Sequence, residues 1–278
     1  MKRSIKISAI LACLILIAIA VTYYKSNKEQ NSNVAPKLSQ NTSESKTTQT
    51  EKPINLQPII DAWVTQQSGT SSVVVFDLQT NNYIASYKPD EQYFTASIYK
   101  IYVAYLGYLA IQSGKYDANE PYLTGYTRKE CLDAMIRDSY SPCGEKMWNE
   151  LGKETITDTL KTYGLTNTSM TGLFTSAKDT SLLLQRLYAK KQLNTEYTQA
   201  FLDSMLNQDA KYRRGLPSGF TSAKVYNKVG WNENIEWHDA AIVTLPNNKS
   251  YIVVVLSKNV GYKNISMLAQ KISYTLLH

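Results

Sequence analysis

Cysteine and histidine are scarce in this chain, with three cysteines and two histidines among 278 residues. Their spacing fits no zinc site, so no metal and no cofactor is expected. One histidine is the terminal His278, which leaves a Ser-His-Asp triad only His238 and its neighbour Asp239 to draw on. A structural histidine at a strand end is the competing reading. Lysine and arginine are scattered, and no basic stretch interleaved with aromatics occurs, which removes nucleic acid as a partner. No internal repeat is found, and past residue 52 there is neither a low-complexity stretch nor a transmembrane candidate.

What is present begins with Lys2, Arg3 and Lys6 ahead of an apolar run from Ile7 to Tyr24. That run is long enough to span a bilayer, and the preceding charges favour a cytoplasmic N-terminus. Residues 1–24 therefore read as a membrane anchor, with a signal segment cleaved near Ala18 and Ala20 as the alternative. Cys13 lies inside the run, where membrane burial competes with a lipid-attachment box. Residues 25–52 are dominated by Ser, Thr, Asn, Gln and Lys, and so read as a flexible polar tether. The remainder is expected outside the cytoplasm, and the chain's net charge of +7 would draw that outer portion toward anionic headgroups or cell-wall polymers.

Residues 53–278 read as one domain of ordinary size. Ile54 to Gln67 has helical spacing. Ser72 to Leu78 and Tyr83 to Tyr87 form a hairpin signal, with Asn81 and Asn82 suited to positive φ. Near the other end, Lys224 to Gly230, Trp237 to Leu245 and Tyr251 to Ser257 are strand-like, and Ile265 to Leu277 closes as a helix. Between these sets lie helical stretches at Ser97 to Ser113, Arg128 to Arg137, Glu145 to Leu151, Glu154 to Tyr163 and Ala177 to Lys190. Strands at both ends around a helical middle imply an α+β fold: an antiparallel sheet flanked by helices with an inserted all-helical subdomain. A cleft between the two is the natural place for a site.

Ser97-Ile98-Tyr99-Lys100 stands at the start of the first middle helix, which puts the serine and the lysine on one face. A serine hydroxyl needs a base to become a nucleophile, and a lysine with a lowered pKa can serve. Two further pieces follow in order, Ser139-Tyr140-Ser141 after a helix and Lys228-Val229-Gly230 at a strand end. With these motifs the chain resembles the serine penicillin-recognising enzymes, most closely the class A β-lactamase family, whose motifs are Ser-x-x-Lys, Ser-Asp-Asn and Lys-Thr-Gly. The resemblance spans nearly the whole outer domain. It includes Met135 to Asp138 before Ser139, Arg214 to Gly219 before the Lys228 strand, and His238 to Val243 as the next strand.

The resemblance implies that Ser97 is the acylated nucleophile and Lys100 its base. Ser139 would relay a proton to the leaving nitrogen, and Lys228 would supply positive charge to that relay and to a substrate carboxylate. The backbone N–H groups of Ser97 and Trp231 would form the oxyanion hole, and Tyr140, Ser141, Val229 and Gly230 would border the substrate. The substrate would be a β-lactam or a D-alanyl peptide. The setting would be the bacterial cell membrane with the catalytic domain outside the cytoplasm, or a secreted form, acting as a monomer.

Several positions depart from the family pattern. Gly164 to Lys178 contains no acidic residue, where class A enzymes carry their deacylating glutamate. Glu150, Glu154 and Asp158 are expected to face solvent, and Asp179 to begin the next helix. Tyr140 and Ser141 replace Asp and Asn, which removes an amide for the substrate. Val229 replaces a hydroxyl residue, and Trp231 follows the glycine where a small residue is usual. Acylation with slow turnover is the resulting expectation, and a non-catalytic wall-binding relative is the rival. Cys131 and Cys143 flank Ser139, and oxidising surroundings favour a disulfide over two buried thiols. Among the 21 tyrosines, Tyr99, Tyr102, Tyr105 and Tyr108 form a helical stripe suited to core packing, with Tyr99 and Tyr140 as candidates to line the cleft.

Overall fold

Helix α1 (Gln57–Val64) takes Pro58 into its first turn, where a missing N–H costs nothing, and buries Ile60 and Trp63. It leads into the hairpin of β1 (Thr70–Asp77) and β2 (Asn82–Tyr87). Of the two turn asparagines, Asn81 adopts φ +57° while Asn82 already belongs to β2. Strand β3 (Gln92–Phe94) and a 3₁₀ turn at Ala96–Ile98 precede α2 (Tyr99–Gln112), so Ser97 sits just ahead of the α-helix that holds Lys100. This computed structural model describes residues 54–233 and 235–278. The anchor and tether expected over residues 1–52, Cys13 included, lie outside the described residues.

A ribbon of β4 (Pro121–Leu123) and β5 (Tyr126–Thr127) then leads to the helices α3 (Arg128–Arg137), α4 (Ser141–Leu151) and α5 (Lys153–Thr162). Next come β6 (Phe174–Ser176), which pairs with β3, then α6 (Ala177–Tyr188), α7 (Thr195–Leu206) and the short α8 (Leu216–Gly219). Local chemistry sets these boundaries. Thr127 and Glu130 form a reciprocal capping box on α3, and Ser176 and Asn194 cap α6 and α7 through their side chains. Helix α4 begins at Ser141, earlier than the expected Glu145, because Pro142 fits its first turn.

Strands β7 (Lys224–Asn232), β8 (Glu236–Thr244) and β9 (Ser250–Lys258) complete a five-stranded sheet of order β2-β1-β9-β8-β7, antiparallel throughout, and α9 (Tyr262–Leu277) ends the chain. The central β9 is buried along nearly its whole length because both faces are covered. Val253 and Val255 pack with Ile60, Trp63, Leu268 and Ile272 on one face. Ile252, Val254 and Leu256 pack with the helices between β3 and β7 on the other. The fold is thus the α+β arrangement with helices inserted between the terminal sets of strands. Helix α2 is the axis of the inserted part: twelve of its fourteen residues are buried, the tyrosine stripe among them.

Candidate active site

Because α2 is buried on all sides, Lys100 has no exposed surface and has exchanged its water for protein oxygens. Its Nζ donates to Ser97 Oγ at 3.1 Å, to Ser141 Oγ at 3.1 Å and to the Ser139 carbonyl at 2.7 Å, with Ser139 Oγ at 3.4 Å. All these partners are neutral. Burial therefore lowers the Lys100 pKa to about 8, with the charge of Glu145 opposing. A lysine in this range presents a useful fraction of free amine near neutrality, which is what deprotonating Ser97 requires.

Ser139 occupies the connection between α3 and α4, and its backbone takes φ +52°, a left-handed conformation that costs a non-glycine residue about 1–2 kcal/mol. A disulfide joins Cys131 of α3 to Cys143 of α4 and closes this connection from both sides. The Ser139 hydroxyl accepts from Lys228 Nζ at 3.0 Å, so it lies between two lysines. Lys228 is fully buried on β7 and also donates to the Val229 carbonyl at 2.8 Å. Burial, and then the charge of Lys100, push its pKa well below the usual lysine range, while Asp239 opposes. Asp239 lies on β8 opposite Val229. Its carboxylate accepts from Asn227 Nδ2 at 3.0 Å and the Leu216 N–H at 2.8 Å, and burial raises its pKa to about 7.

Gly230 lets the edge strand β7 close on the Ser97 turn, since a Cβ there would stand 2.8 Å from the Thr95 carbonyl and 3.0 Å from the His238 ring. Trp231 follows it with 48% of its surface exposed. His238 is fully committed to the backbone: Nε2 donates to the Phe94 carbonyl at 2.8 Å, and Nδ1 accepts the Ser257 N–H at 3.0 Å. It pins the strand before Ser97 to the sheet and offers no free nitrogen to a triad. The Val229 side chain is buried, with 2% exposed. Tyr140 is exposed and stacks on Tyr126, with ring centroids 5.5 Å apart. Tyr99 is buried against Trp148, at 5.8 Å between centroids.

The segment 164–176 supplies no carboxylate to the site. The Leu173 carbonyl accepts the Thr95 N–H at 2.7 Å, and Ser169 pairs with Phe174. Asp179, in the first turn of α6, anchors the same segment by accepting from Thr168 Oγ1 at 2.8 Å and the Asn167 N–H at 2.7 Å. The three acids expected to face solvent, Glu150, Glu154 and Asp158, are exposed, and Glu150 is also engaged. It takes two hydrogen bonds from the buried Arg128 and one from Tyr122, because that guanidinium has no water to satisfy it. Glu145, Asn227 and the support that Asp239 gives behind Lys228 escape motif reading, since helix pitch and strand register bring them in.

Solved structures with a similar fold include PBP-A, at 22% identity over 80% of this chain and 96% of that one, with a TM-score of 0.70. A variant of PBP-A solved as an acyl-enzyme complex with penicillin G matches similarly, at 21% identity over 79% of this chain and 95% of that one, with a TM-score of 0.70. A β-lactamase from Chitinophaga pinensis superposes with a TM-score of 0.68, at 15% identity over 78% of this chain and 96% of that one. At such identities the likeness concerns the fold. No curated protein matches the sequence. Residues 55–278 do match the Beta-lactamase enzyme family, and the chain belongs to that family.

Proposed function

We propose that this protein is an extracytoplasmic serine acyl-hydrolase, acylated at Ser97 by β-lactams and releasing the product slowly. The observation that carries this reading is the contact between Ser97 and a buried Lys100 whose pKa is lowered to about 8. Lys100 accepts the Ser97 proton as Oγ attacks the lactam carbonyl carbon. The N–H groups of Ser97 and Trp231 take up the developing oxyanion. Ser139 passes the proton from Lys100 to the lactam nitrogen as the C–N bond breaks, and Lys228 holds that hydroxyl in place and draws the substrate carboxylate. Ser141, Tyr140 and the Gly230 edge border the acyl group.

Slow release follows from the segment 164–176, which holds no carboxylate to activate water. A D-alanyl peptide fits the same acylation chemistry as a second substrate class. The N-terminal apolar run supports a single-pass anchor that would hold the domain near anionic wall polymers. The test is nitrocefin turnover and D-alanine release measured side by side, with the mass of the penicillin adduct and Ser97→Ala as control. No adduct after hours at millimolar penicillin would sink the reading in favour of a non-catalytic relative.

A further inference from the structure

Trp148 of α4 ties down the acid-free segment, its Nε1–H donating to the Met170 carbonyl at 3.2 Å. Ser141, Gly144, Glu145 and Trp148 share one face of α4 at three- and four-residue spacing. Ser141, Gly144 and Trp148 of that face meet the Ser97 end of α2, and Glu145 beside them is open to solvent. Ser141 Oγ is 3.1 Å from Lys100 Nζ, and a Cβ at Gly144 would stand 2.7 Å from the Tyr99 hydroxyl and 3.0 Å from Lys100 Cε. Trp148 packs on Tyr99 itself. Helix spacing thus places Glu145 one turn from Ser141, which contacts Lys100, and one turn from Trp148, which holds the segment.

Three other carboxylates of the fold are already engaged. Glu150 is bound by Arg128 and Tyr122, Asp179 by Thr168 and Asn167, and Asp239 by Asn227 and Leu216. Glu145 is exposed and makes no hydrogen bond or ion pair among the described residues. Its charge nevertheless reaches both Lys100 and Tyr99. Three serines already fill the donor directions of Lys100, so the Glu145 carboxylate remains available to water.

We propose that Glu145 is the general base of deacylation, in place of a carboxylate on the following segment. This rests on the acylation of Ser97 proposed above. Water oxygen bonds to the ester carbonyl carbon while one of its protons passes to the Glu145 carboxylate. The bond from that carbon to Ser97 Oγ then breaks. Glu145 gives its proton to the Lys100 amine, left neutral by acylation, Lys100 passes a proton to Oγ, and the second water hydrogen leaves with the product acid. Ester and water become acid and free hydroxyl, with Glu145 and Lys100 returned to their starting states. A base on a solvent-exposed helix face, rather than in an enclosed pocket, accords with slow release.

The experiment uses benzylpenicillin and the full chain. Adduct formation and its decay after removal of free drug are followed by intact-protein mass for wild type, Glu145→Gln and Glu145→Asp. In Glu145→Gln the adduct lifetime is expected to lengthen roughly tenfold to a hundredfold, with a much smaller change in its formation, within the range that a general base contributes. Glu145→Asp should recover part of the decay. Equal lifetimes in wild type and Glu145→Gln, or formation and decay slowed by the same factor, would overturn the assignment while leaving acylation intact. A wild-type protein that forms no adduct would overturn the acylation reading, and this one with it.

Discussion

Lys228 Nζ lies 3.0 Å from Ser139 Oγ, although the two residues come from different parts of the fold, β7 and the α3–α4 connection. The same hydroxyl is 3.4 Å from Lys100 Nζ, so one serine joins the lysine beside Ser97 to the lysine on the sheet edge. In the proposed acylation, this contact is the path by which a proton leaves Lys100 through Ser139.

Ser139→Ala removes that path and takes one acceptor from each lysine. The acylation rate is expected to fall roughly 100-fold to 1,000-fold, within the range for a lost proton-transfer group. Stopped-flow acylation by a penicillin, read beside a thermal melt, separates this from loss of fold. An unchanged rate would remove Ser139 from the relay.

The acylation rate should also rise with pH through about 8, because Lys100 must be neutral to accept the Ser97 proton. Lys228 on β7 and Glu145 on α4 are the charged groups that face it, with the Tyr99 ring alongside at 5.6 Å. Burial keeps the Lys100 pKa down and Glu145 holds it up, so Glu145→Gln should move the rising limb to lower pH. Lys100→Arg cannot lose its proton in this range and should abolish adduct formation. A flat rate between pH 6 and 9 would argue against Lys100 as the base.

Replacing Cys131 and Cys143 together by serine opens a link across twelve positions. Chain entropy puts the loss at about 3 kcal/mol. Ser139 lies inside the closed loop in an unfavourable backbone conformation, so acylation should slow along with the loss of stability. Urea unfolding and acylation rates for the double variant, compared with the dithiothreitol-treated wild type, provide the check.

The part of this arrangement legible in the sequence was the part carried by short-range pattern. Hydrophobic runs marked the five long strands, and Ser-x-x-Lys with its two companions marked the four polar side chains that meet. Helix α7 was not marked; its buried residues, such as Phe201 and Met205, are interspersed with polar ones, and it becomes stable by packing in the inserted subdomain. Val229 stands beside Lys228 in the motif, and the fold buries both side chains. Glu145 carries no motif at all. Its place depends on Gly144 allowing α4 to approach α2, and that contact exists only in the folded chain.

His238 and Asp239 are neighbours with opposite acid responses. Burial lowers the folded His238 pKa to about 4 from 6.5, so stability is lost as pH falls through that interval and the unfolded chain takes up a proton that the folded one refuses. Asp239 is raised to about 7 from 3.8, so its contribution grows as pH falls from 7 toward 4 and the folded chain takes up the proton. Between about pH 4 and 6.5 the two proton uptakes oppose each other. Asp239→Asn removes one of them, and its stability should fall on acidification more steeply than that of the wild type, by up to about 1.4 kcal/mol per pH unit. Urea unfolding of both proteins at pH 7, 6 and 5 tests this. Parallel stability curves would mean that Asp239 is ionised throughout in the folded state, and would return the support behind Lys228 to a fixed negative charge.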